Sequence, residues 1–282
     1  MNAKKLNHKQ VLEHLPERDI NAHKGDFGKV LLLCGSEGYT GAAALAAMGA
    51  LRCGAGLVYL GVPRSIYAIE AVKLTEPIVF PLPEVDGMLS AQALPKILSM
   101  LVGMGAVLIG PGLGQSEGTR AVIRAVLEEA KCPVVLDADG INGICRHMDI
   151  LRERRYPTVL TPHAGEFARL GATALEDRKV SAERFAREYG CVLLLKGHHT
   201  VITDGEECYV NQTGNPGMAV GGSGDVLAGM ITGLIGQGLT PLTAAACGAW
   251  IHGAAGDLCA REIGQYAMLP TDMLDMLGRL LK

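Results

Sequence analysis

Residues 215–225 read Asn-Pro-Gly-Met-Ala-Val-Gly-Gly-Ser-Gly-Asp, and an apolar stretch, 226–235, follows them directly. Glycines carry no side chain, so their backbone N–H groups can approach an anion closely. A helix over the apolar stretch would point its unpaired N–H groups and the positive end of its dipole at the same place. The pattern therefore predicts a phosphate site at the start of a helix.

Asp225 closes the glycine run. A bound phosphate would repel this carboxylate, so an acid at this position needs a reason. The reason that fits is removal of a proton from a hydroxyl that attacks the phosphate. We therefore expect phosphoryl transfer, with Asp225 as the general base and the N–H groups of Gly222 and Gly224 on the phosphate. The alternatives are a helix-capping aspartate and a plain tight turn.

The composition is that of an ordinary globular protein, with 282 residues, 49% hydrophobic, 20% charged and a net charge of −3. The mild acidity gives no support to nucleic-acid or membrane-surface binding. The sequence has no apolar run of the ~18 residues that a membrane span needs. Its cysteines are scattered without zinc-site spacing, and residues 1–10 are polar. We therefore expect buried, reduced thiols and a cytoplasmic location.

Short runs rich in Val, Ile and Leu recur along the chain, and most are continuous rather than alternating. This pattern is typical of strands buried on both faces of a parallel sheet, with helices between them. The expected strands are 30–34, 57–62, 106–109, 134–137, 159–161 and 192–196, and the expected helices are 42–52, 65–73, 91–102, 119–130 and 175–189.

The later part of the chain departs from this alternation. An edge meander is expected over 191–196, 200–203 and 207–211, turned at Asp204-Gly205, and helices are expected over 226–235, 244–261 and 271–281. Small residues in 244–261 would allow close helix packing or an oligomer interface. Because no linker or repeat is visible, we expect one α/β domain with a central, mostly parallel sheet flanked by helices on both faces.

Polar and glycine residues follow several of the expected strands. Ligands of open parallel sheets sit at the carboxyl ends of the strands, so these residues predict one continuous cleft. The segments are Cys34-Gly35-Ser36, 110–114 (Gly-Pro-Gly-Leu-Gly), 137–142 (Asp-Ala-Asp-Gly-Ile-Asn), 161–166 (Thr-Pro-His-Ala-Gly-Glu) and 196–200 (Lys-Gly-His-His-Thr).

The order of these segments, followed by 215–225, resembles the ADP/ATP-dependent NAD(P)H-hydrate dehydratases of the ribokinase-like superfamily. The resemblance covers nearly the whole chain from about Lys24 and includes 23–28 (His-Lys-Gly-Asp-Phe-Gly) and Gly41-Ala42-Ala43. It implies a ribokinase-like, three-layer fold. Some relatives carry a fused epimerase domain; this sequence shows none, so we expect a single dehydratase domain over residues 1–282.

The resemblance implies a repair reaction. NADH or NADPH that has added water across a nicotinamide double bond is phosphorylated on the new hydroxyl, and phosphate then leaves so that the double bond re-forms. Hydroxide is a poor leaving group and phosphate a good one, and the transfer needs mainly positioning and charge neutralisation. The implied donor is ADP, giving AMP and phosphate, or else ATP, with Mg²⁺ as cofactor. The implied partners are a separate epimerase and further copies of the chain in a homotetramer.

The resemblance also assigns residues to the two ligands. The hydrated dinucleotide would contact Ala42, Gly112, Gly114, His163 and Asp225, and the nucleotide would contact Lys196, Gly197, His198, His199, Thr200, Gly222 and Gly224. Glu166 falls where relatives use an acid to organise Mg²⁺ through water, with charge stabilisation of a helix start as the alternative. The structural alternatives for the rest are close packing, a β-turn and a loop histidine. No acidic or cysteine cluster accompanies the paired histidines, so a metal site there is not expected.

Several assignments stay open. Asp137 and Asp139 are candidates for metal or ribose contacts or for a turn, and Asn142 is a weaker candidate. Lys24-Gly25-Asp26 is either a loop that closes over the substrate or a solvated loop, and the second is preferred.

Two other functions compete. One is a ribokinase-like kinase for a small molecule such as hydroxyethylthiazole. Segments 161–166 and 215–219 argue against this function. The other is a non-catalytic nucleotide-binding protein, against which Asp225 speaks.

Overall fold

The structure is a computed structural model that describes residues 3–172 and 177–282. The strands are β1 (Lys29–Leu33), β2 (Leu57–Pro63), β3 (Ile78–Leu82), β4 (Glu84–Val85), β5 (Met88–Leu89), β6 (Ala106–Ile109), β7 (Val134–Leu136), β8 (Thr158–Leu160), β9 (Val192–Leu195), β10 (Val201–Thr203) and β11 (Cys208–Val210). The helices are α1 (His8–His14), α2 (Thr40–Arg52), α3 (Arg64–Lys73), α4 (Leu94–Leu101), α5 (Glu117–Glu129), α6 (Asp139–Ile144), α7 (Asp149–Glu153), α8 (Ala164–Arg169), α9 (Arg178–Tyr189), α10 (Ser223–Gly236), α11 (Pro241–Glu262) and α12 (Pro270–Leu280). Short 3₁₀ turns cover Ala91–Ala93 and Pro216–Met218.

A nine-stranded, mostly parallel sheet forms the centre, in the order β11-β10-β9-β8-β7-β6-β1-β2-β3. Only β10 runs antiparallel to its neighbours, β9 and β11. The strand order changes direction at β1, which lies between β6 and β2. In open parallel sheets such a change of direction opens a crevice at the carboxyl ends of the strands. The loops that follow β1 and β6 therefore border a natural ligand site.

Helices cover both faces of the sheet, as β1 illustrates. Val30 and Leu32 pack into one apolar cluster with α2, α10, α11 and α12, whereas Leu31 and Leu33 pack into a second cluster with α4, α5 and α9. Burial on both faces explains why these strands read as continuous apolar runs. The predicted three-layer α/β fold is confirmed.

Glycines hold α10 close to α2. A Cβ on Gly229 would lie 2.0 Å from the carbonyl oxygen of Ala46, and a Cβ on Gly233 would lie 2.6 Å from that of Ala50. Only glycine permits this approach, since a real side chain would overlap the backbone of α2. The two helices therefore begin side by side at the carboxyl edge of the sheet.

All the predicted strands are present, and the meander over β9, β10 and β11 is confirmed. The predicted helix 91–102 is a 3₁₀ turn followed by α4, and α9 begins at Arg178; residues 175–176 of that prediction lie outside the described residues. Elements that the sequence did not reveal are α1, α6, α7, α8, β3 and the β4–β5 hairpin.

The eight cysteines are free thiols, and all but Cys145 are buried, as predicted. No helix within the described ranges is long and apolar enough to cross a bilayer.

Candidate active site

The start of α10 is an open anion cradle. Gly222 precedes the helix with a φ of 96°, a left-handed conformation that favours glycine, and it provides no capping side chain. In the described part of the chain, no group accepts a hydrogen bond from the backbone N–H groups of Gly224 and Asp225. A Cβ on Gly221 would meet nothing within 4 Å. Two helix N–H groups thus face space that an anion can fill.

Asp225 lies in the first turn of α10 in a partly buried position. Burial, reinforced by the negative charge of Asp137 and opposed by Lys196, raises the pKa of Asp225 to about 6. A carboxylate with a pKa near neutrality combines a useful ionised fraction with real basicity. The same position therefore suits a general base.

Lys196 follows β9 and lies among three acids: Asp137 after β7, Glu166 in α8 and Asp225 in α10. Its Nζ is 2.8 Å from Oδ1 of Asp137 and 3.8 Å from Oε2 of Glu166. Burial alone lowers the pKa of Lys196, but the charges of Asp137, Glu166 and Asp225 raise it above its ordinary value. The ammonium group is therefore a permanent cation at the mouth of the anion cradle.

His163 and Glu166 form a reciprocal cap at the start of α8. Nδ1 of His163 accepts a hydrogen bond from the backbone N–H of Gly165 at 2.9 Å, and the carboxylate of Glu166 accepts one from the N–H of His163 at 2.8 Å. Because Nδ1 is occupied as an acceptor, the neutral ring carries its proton on Nε2. The cap thus fixes both side chains beside Lys196.

Residues 196–200 are the loop of the β9–β10 hairpin. The hydroxyl of Thr200 donates to the carbonyl of Gly197 at 2.9 Å, and His199 has a φ of 54°. Arg178, at the start of α9, donates to the carbonyls of Leu195, Lys196 and His198. The sequence did not point to Arg178, because its role depends on α9 lying against this hairpin.

A cleft of about 830 Å³ opens between this hairpin and the start of α10. Seven of the predicted site residues line it: His163, Lys196, Gly197, His198, His199, Thr200 and Gly224. The opposite wall, residues 211–216 and 218–220 together with Ala249, His252 and Gly253 of α11, contains none of the individual site residues assigned from the sequence.

The opposite wall is fastened to α11 by hydrogen bonds. The carboxylate of Asp257 accepts from the N–H of Gly214 at 2.9 Å and from the side chain of Asn215 at 3.1 Å. His252 lies below, with Nε2 at 3.4 Å from the hydroxyl of Ser223, and burial lowers its pKa to about 4. Asp257 therefore ties this wall to α11, and His252 is neutral at physiological pH.

The small residues assigned to the dinucleotide lie outside this cleft, in the loop after β6 and at the start of α2. The N–H of Gly35 donates to the carbonyl of Pro111 at 2.8 Å, which joins the loop after β1 to the loop after β6. A Cβ on Gly112 would lie 2.8 Å from that of Ala42. Burial and then the charge of Asp225 raise the pKa of Cys34 at the end of β1.

The loop Lys24-Gly25-Asp26 lies far from this site. A Cβ on Gly28 would lie 1.7 Å from the carbonyl oxygen of Gly236, at the far end of α10. A 14-residue helix spans about 20 Å. A closing role over the substrate within this chain is therefore wrong, and the solvated loop that the sequence favoured fits the structure.

Known proteins resemble this chain over most of its length. The sequence profile of the NAD(P)H-hydrate dehydratase family matches residues 30–279. The chain belongs to this family. The bifunctional NAD(P)H-hydrate repair enzyme Nnr of Moorella thermoacetica is 49% identical over 275 residues, which are 95% of this chain and 52% of that protein. The chain thus spans about half the length of the curated relatives it matches.

Solved structures of this dehydratase family are similar throughout. The ADP/ATP-dependent NAD(P)H-hydrate dehydratase from Bacillus subtilis, co-crystallised with ATP and Mg²⁺, has a TM-score of 0.84 and 33% identity, and the match covers 99% of this chain and 98% of that one. The hydroxyethylthiazole kinase of Pyrococcus horikoshii has a TM-score of 0.62 at 18% identity over 96% of this chain and 91% of that one. This second likeness shows the shared ribokinase-like fold alone.

The acids of this dehydratase family member divide into two kinds. In the described part of the chain, no three His, Cys, Asp or Glu side chains form a cluster that could hold a metal by themselves. Asp139 is used internally, since it accepts from the N–H of Gly114 at 2.9 Å and from the side chain of Gln115 at 3.1 Å. Asp137 and Glu166 lie on either side of Lys196 in the site. Both also accept hydrogen bonds within the chain, Asp137 from Lys196 and Thr161 and Glu166 from the N–H of His163, so their place beside Lys196 is what distinguishes them from Asp139.

Proposed function

We propose that this chain catalyses the nucleotide-dependent dehydration of hydrated NADH and NADPH. One observation carries the proposal: the carboxylate of Asp225, with a pKa of about 6, lies at the open start of α10 beside the cation of Lys196. A base, an anion cradle and a permanent cation at one point are what phosphoryl transfer to a hydroxyl requires. The membership of the dehydratase family supports the identity of the acceptor.

The first step is phosphorylation of the hydroxyl that hydration has placed on the nicotinamide ring. Asp225 takes the proton of this hydroxyl. The hydroxyl oxygen of the substrate then forms a bond to the terminal phosphorus of the nucleotide, while the bond between that phosphorus and the oxygen of the leaving nucleotide breaks. The N–H groups of Gly224 and Asp225 and the ammonium of Lys196 stabilise the charge on the transferring group. Gly222 sets the backbone so that these groups converge.

The second step is elimination. The lone pair of the ring nitrogen expels phosphate together with the former hydroxyl oxygen, and the neighbouring ring carbon loses a proton. The double bond re-forms, and the oxygen that came from water leaves in the inorganic phosphate. The reaction is therefore one hydrated dinucleotide plus ADP giving NAD(P)H, AMP and phosphate.

The two halves of the site have different ligands in this proposal. The nucleotide occupies the 830 Å³ cleft, whose lining includes 196–200 and Gly224. The dinucleotide lies against the loops after β1 and β6, beside Ala42, Gly112 and Gly114, and it reaches His163. Asp225 stands between the two ligands.

Mg²⁺ fits this site as a partner of the nucleotide phosphates. Mg²⁺ usually keeps several waters and takes one or two carboxylates plus substrate phosphates. Oδ2 of Asp137 lies 3.9 Å from the position that a Cβ on Gly224 would take, so this oxygen faces the cradle. Asp137 and Glu166 would hold the ion, with Glu166 acting through water, and the ion would neutralise phosphate charge.

Several further features belong to the proposal. ADP is the proposed donor, with ATP as the second candidate; the donor of the Bacillus subtilis relative is named as ADP or ATP. We propose that residues 1–282 act as one domain, since both layers of helices pack against a single sheet. A homotetramer and cooperation with an epimerase remain proposals that rest on the family resemblance.

The glycines of α11 do not support an oligomer interface at that helix. A Cβ on Gly248 would meet Ile231, one on Gly253 would meet Thr213, and one on Gly256 would meet Met218. These positions are filled by packing within the chain.

The test is an assay with purified hydrated NADH and Mg²⁺, with ADP and ATP supplied separately. The proposal expects the absorbance of reduced nicotinamide to return, with one phosphate released for each NADH restored and faster turnover with ADP. A stable phosphorylated product and no restored NADH would instead identify a small-molecule kinase. Nucleotide binding without any turnover would contradict both enzymes.

A further inference from the structure

Segment 137–142 joins the two halves of the site in a way that the reaction above does not use. Asp137 faces the nucleotide half, where its Oδ1 accepts from Lys196 at 2.8 Å and from Thr161 at 2.7 Å. Asp139, two residues later, faces the other half, where its Oδ2 accepts from the N–H of Gly114. One short segment therefore holds a carboxylate on each ligand's side.

The residue between these acids is strained. Ala138 has a φ of 48° and a ψ of −114°, a conformation that residues other than glycine rarely adopt. Such strain persists only where the surroundings hold the backbone in place, and it concentrates at functional sites. Here the hydrogen bonds of Asp137 and Asp139 hold it from both sides.

A chain of side-chain hydrogen bonds continues from Asp139 to α8. The amide of Asn142 donates to Oδ1 of Asp139 at 3.3 Å, and Nε of Arg169 donates to Oδ1 of Asn142 at 2.9 Å. Arg169 is the last residue of α8, and His163 and Glu166 cap the start of the same helix. The donors and acceptors alternate correctly along the whole chain.

We propose that Asp139, Asn142 and Arg169 are positioning residues that hold loop 110–115 in register with α8. The proposal rests on the proposed function, because loop 110–115 is where the dinucleotide would lie. None of the three lines the nucleotide cleft. Their loss therefore misplaces the dinucleotide relative to His163 while leaving nucleotide binding intact.

The experiment compares D139N, N142A, R169Q and the double variant D139N/R169Q with the wild type. D139N keeps the shape of the side chain but replaces an acceptor oxygen with a donor. Matched controls are D149N, an exposed acid in the first turn of α7, and R124Q, whose partner is the exposed Glu128. For each protein one measures kcat and KM for hydrated NADH, the Kd for ADP with Mg²⁺, and backbone hydrogen exchange.

The expected result is a loss of roughly tenfold or more in kcat/KM for hydrated NADH, since small misplacements of reacting groups are costly. The Kd for ADP stays within about twofold, and the double variant is little worse than the poorer single variant because one break already opens the chain. In R169Q, hydrogen exchange speeds up over 110–115 but not over 196–200. N142Q, which keeps an amide, recovers part of the loss.

Three results would overturn the proposal: an unchanged exchange rate over 110–115 in R169Q, equal losses for both ligands, or additive losses in the double variant. Hydrogen exchange needs no turnover, so it separates this proposal from the proposed function. If the wild type never restores NADH, the proposed function is wrong. The hydrogen-exchange result still decides whether α8 and loop 110–115 are coupled.

Discussion

The two ends of α10 use glycine for opposite purposes. At its start, a Cβ on Gly221 would meet nothing within 4 Å, and one on Gly224 would meet only the tip of Lys196 at 3.3 Å and Asp137 at 3.9 Å. Near its end, a Cβ on Gly28 would lie 1.7 Å from the carbonyl oxygen of Gly236. Gly221 and Gly224 leave room for a ligand, whereas Gly28 leaves room for the backbone of Gly236. Glycine density alone therefore does not mark a site; the space around each glycine does.

The largest effect of a substitution is expected at the packed end of α10. Gly28→Ala places a methyl group inside the backbone of Gly236 and also forces alanine to a φ of 76°. We expect a loss of more than about 3 kcal/mol in the free energy of unfolding. Chemical denaturation measures it. Gly103→Ala, at a φ of 77° with nothing within 4 Å, is the control and should cost only about 1 kcal/mol.

The next effect is expected at the open end and concerns rate rather than stability. Asp225→Asn keeps the shape and removes the base, so kcat should fall by about 10³-fold, within the range of 10²–10⁴ that general-base catalysis contributes. Steady-state turnover of hydrated NADH measures it, with binding of ADP as the check that the cleft is intact. Turnover within a few-fold of the wild type would rule out Asp225 as the base.

A smaller loss of rate is expected for Gly224→Ala. The helix start tolerates alanine, which gains up to about 1 kcal/mol in stability over glycine in a helix. The added methyl group stands 3.3 Å from Nζ of Lys196 in the cradle, so kcat/KM should fall by about 10–100-fold. Gly278→Ala in α12, where a Cβ meets nothing within 4 Å, is the matched control and should leave the rate unchanged. If Gly224→Ala instead unfolds the protein, the two ends of α10 do not differ as described.

The pH dependence of the rate follows from the same carboxylate. Because Asp225 must be ionised to accept a proton and its pKa is about 6, kcat/KM should fall about tenfold per pH unit below that value. A pH profile of the wild type measures this fall. A rate that stays flat down to pH ~4 would show that the ionised form of Asp225 is not the reactive one.

The smallest effect concerns stability. The pKa of Asp225 is raised from 3.8 to about 6 in the folded protein, so the folded state binds more protons between these values and stability falls as pH rises through them. Asp225→Asn removes this loss and should gain about 1–3 kcal/mol in the free energy of unfolding at pH ~8, with little gain at pH ~3. Denaturation curves at both pH values test the sign. A variant less stable at the higher pH would show that the attraction to Lys196 outweighs burial.

The sequence predicts much of the sheet because its central strands are buried on both faces and read as continuous apolar runs. It misses β3, an edge strand with exposed Ile78 and Pro81, because an edge strand lacks that pattern. It also misses α6, α7 and α8, which have only five or six residues each, too few for a helical period to emerge.

The candidate site divides in the same way. Residues that follow strands, such as Lys196 and His163, are predictable because parallel strands end at one edge. Other contacts depend on how the helices pack against the rest of the chain. Examples are the hydrogen bond between Asn215 and Asp257 and those from Arg178 to the carbonyls of the β9–β10 hairpin loop. No local pattern encodes those contacts.

In the proposed reaction, the hydroxyl of the hydrated ring attacks the terminal phosphorus at the start of α10. Hydrated NADH that carries a heavy oxygen isotope in this hydroxyl tests it directly, with ADP, Mg²⁺ and the wild-type protein, by mass spectrometry of the released phosphate. We expect one labelled oxygen in each phosphate and no label in the solvent water. Unlabelled phosphate released together with restored NADH would contradict it, because the ring oxygen would then have left without ever being phosphorylated.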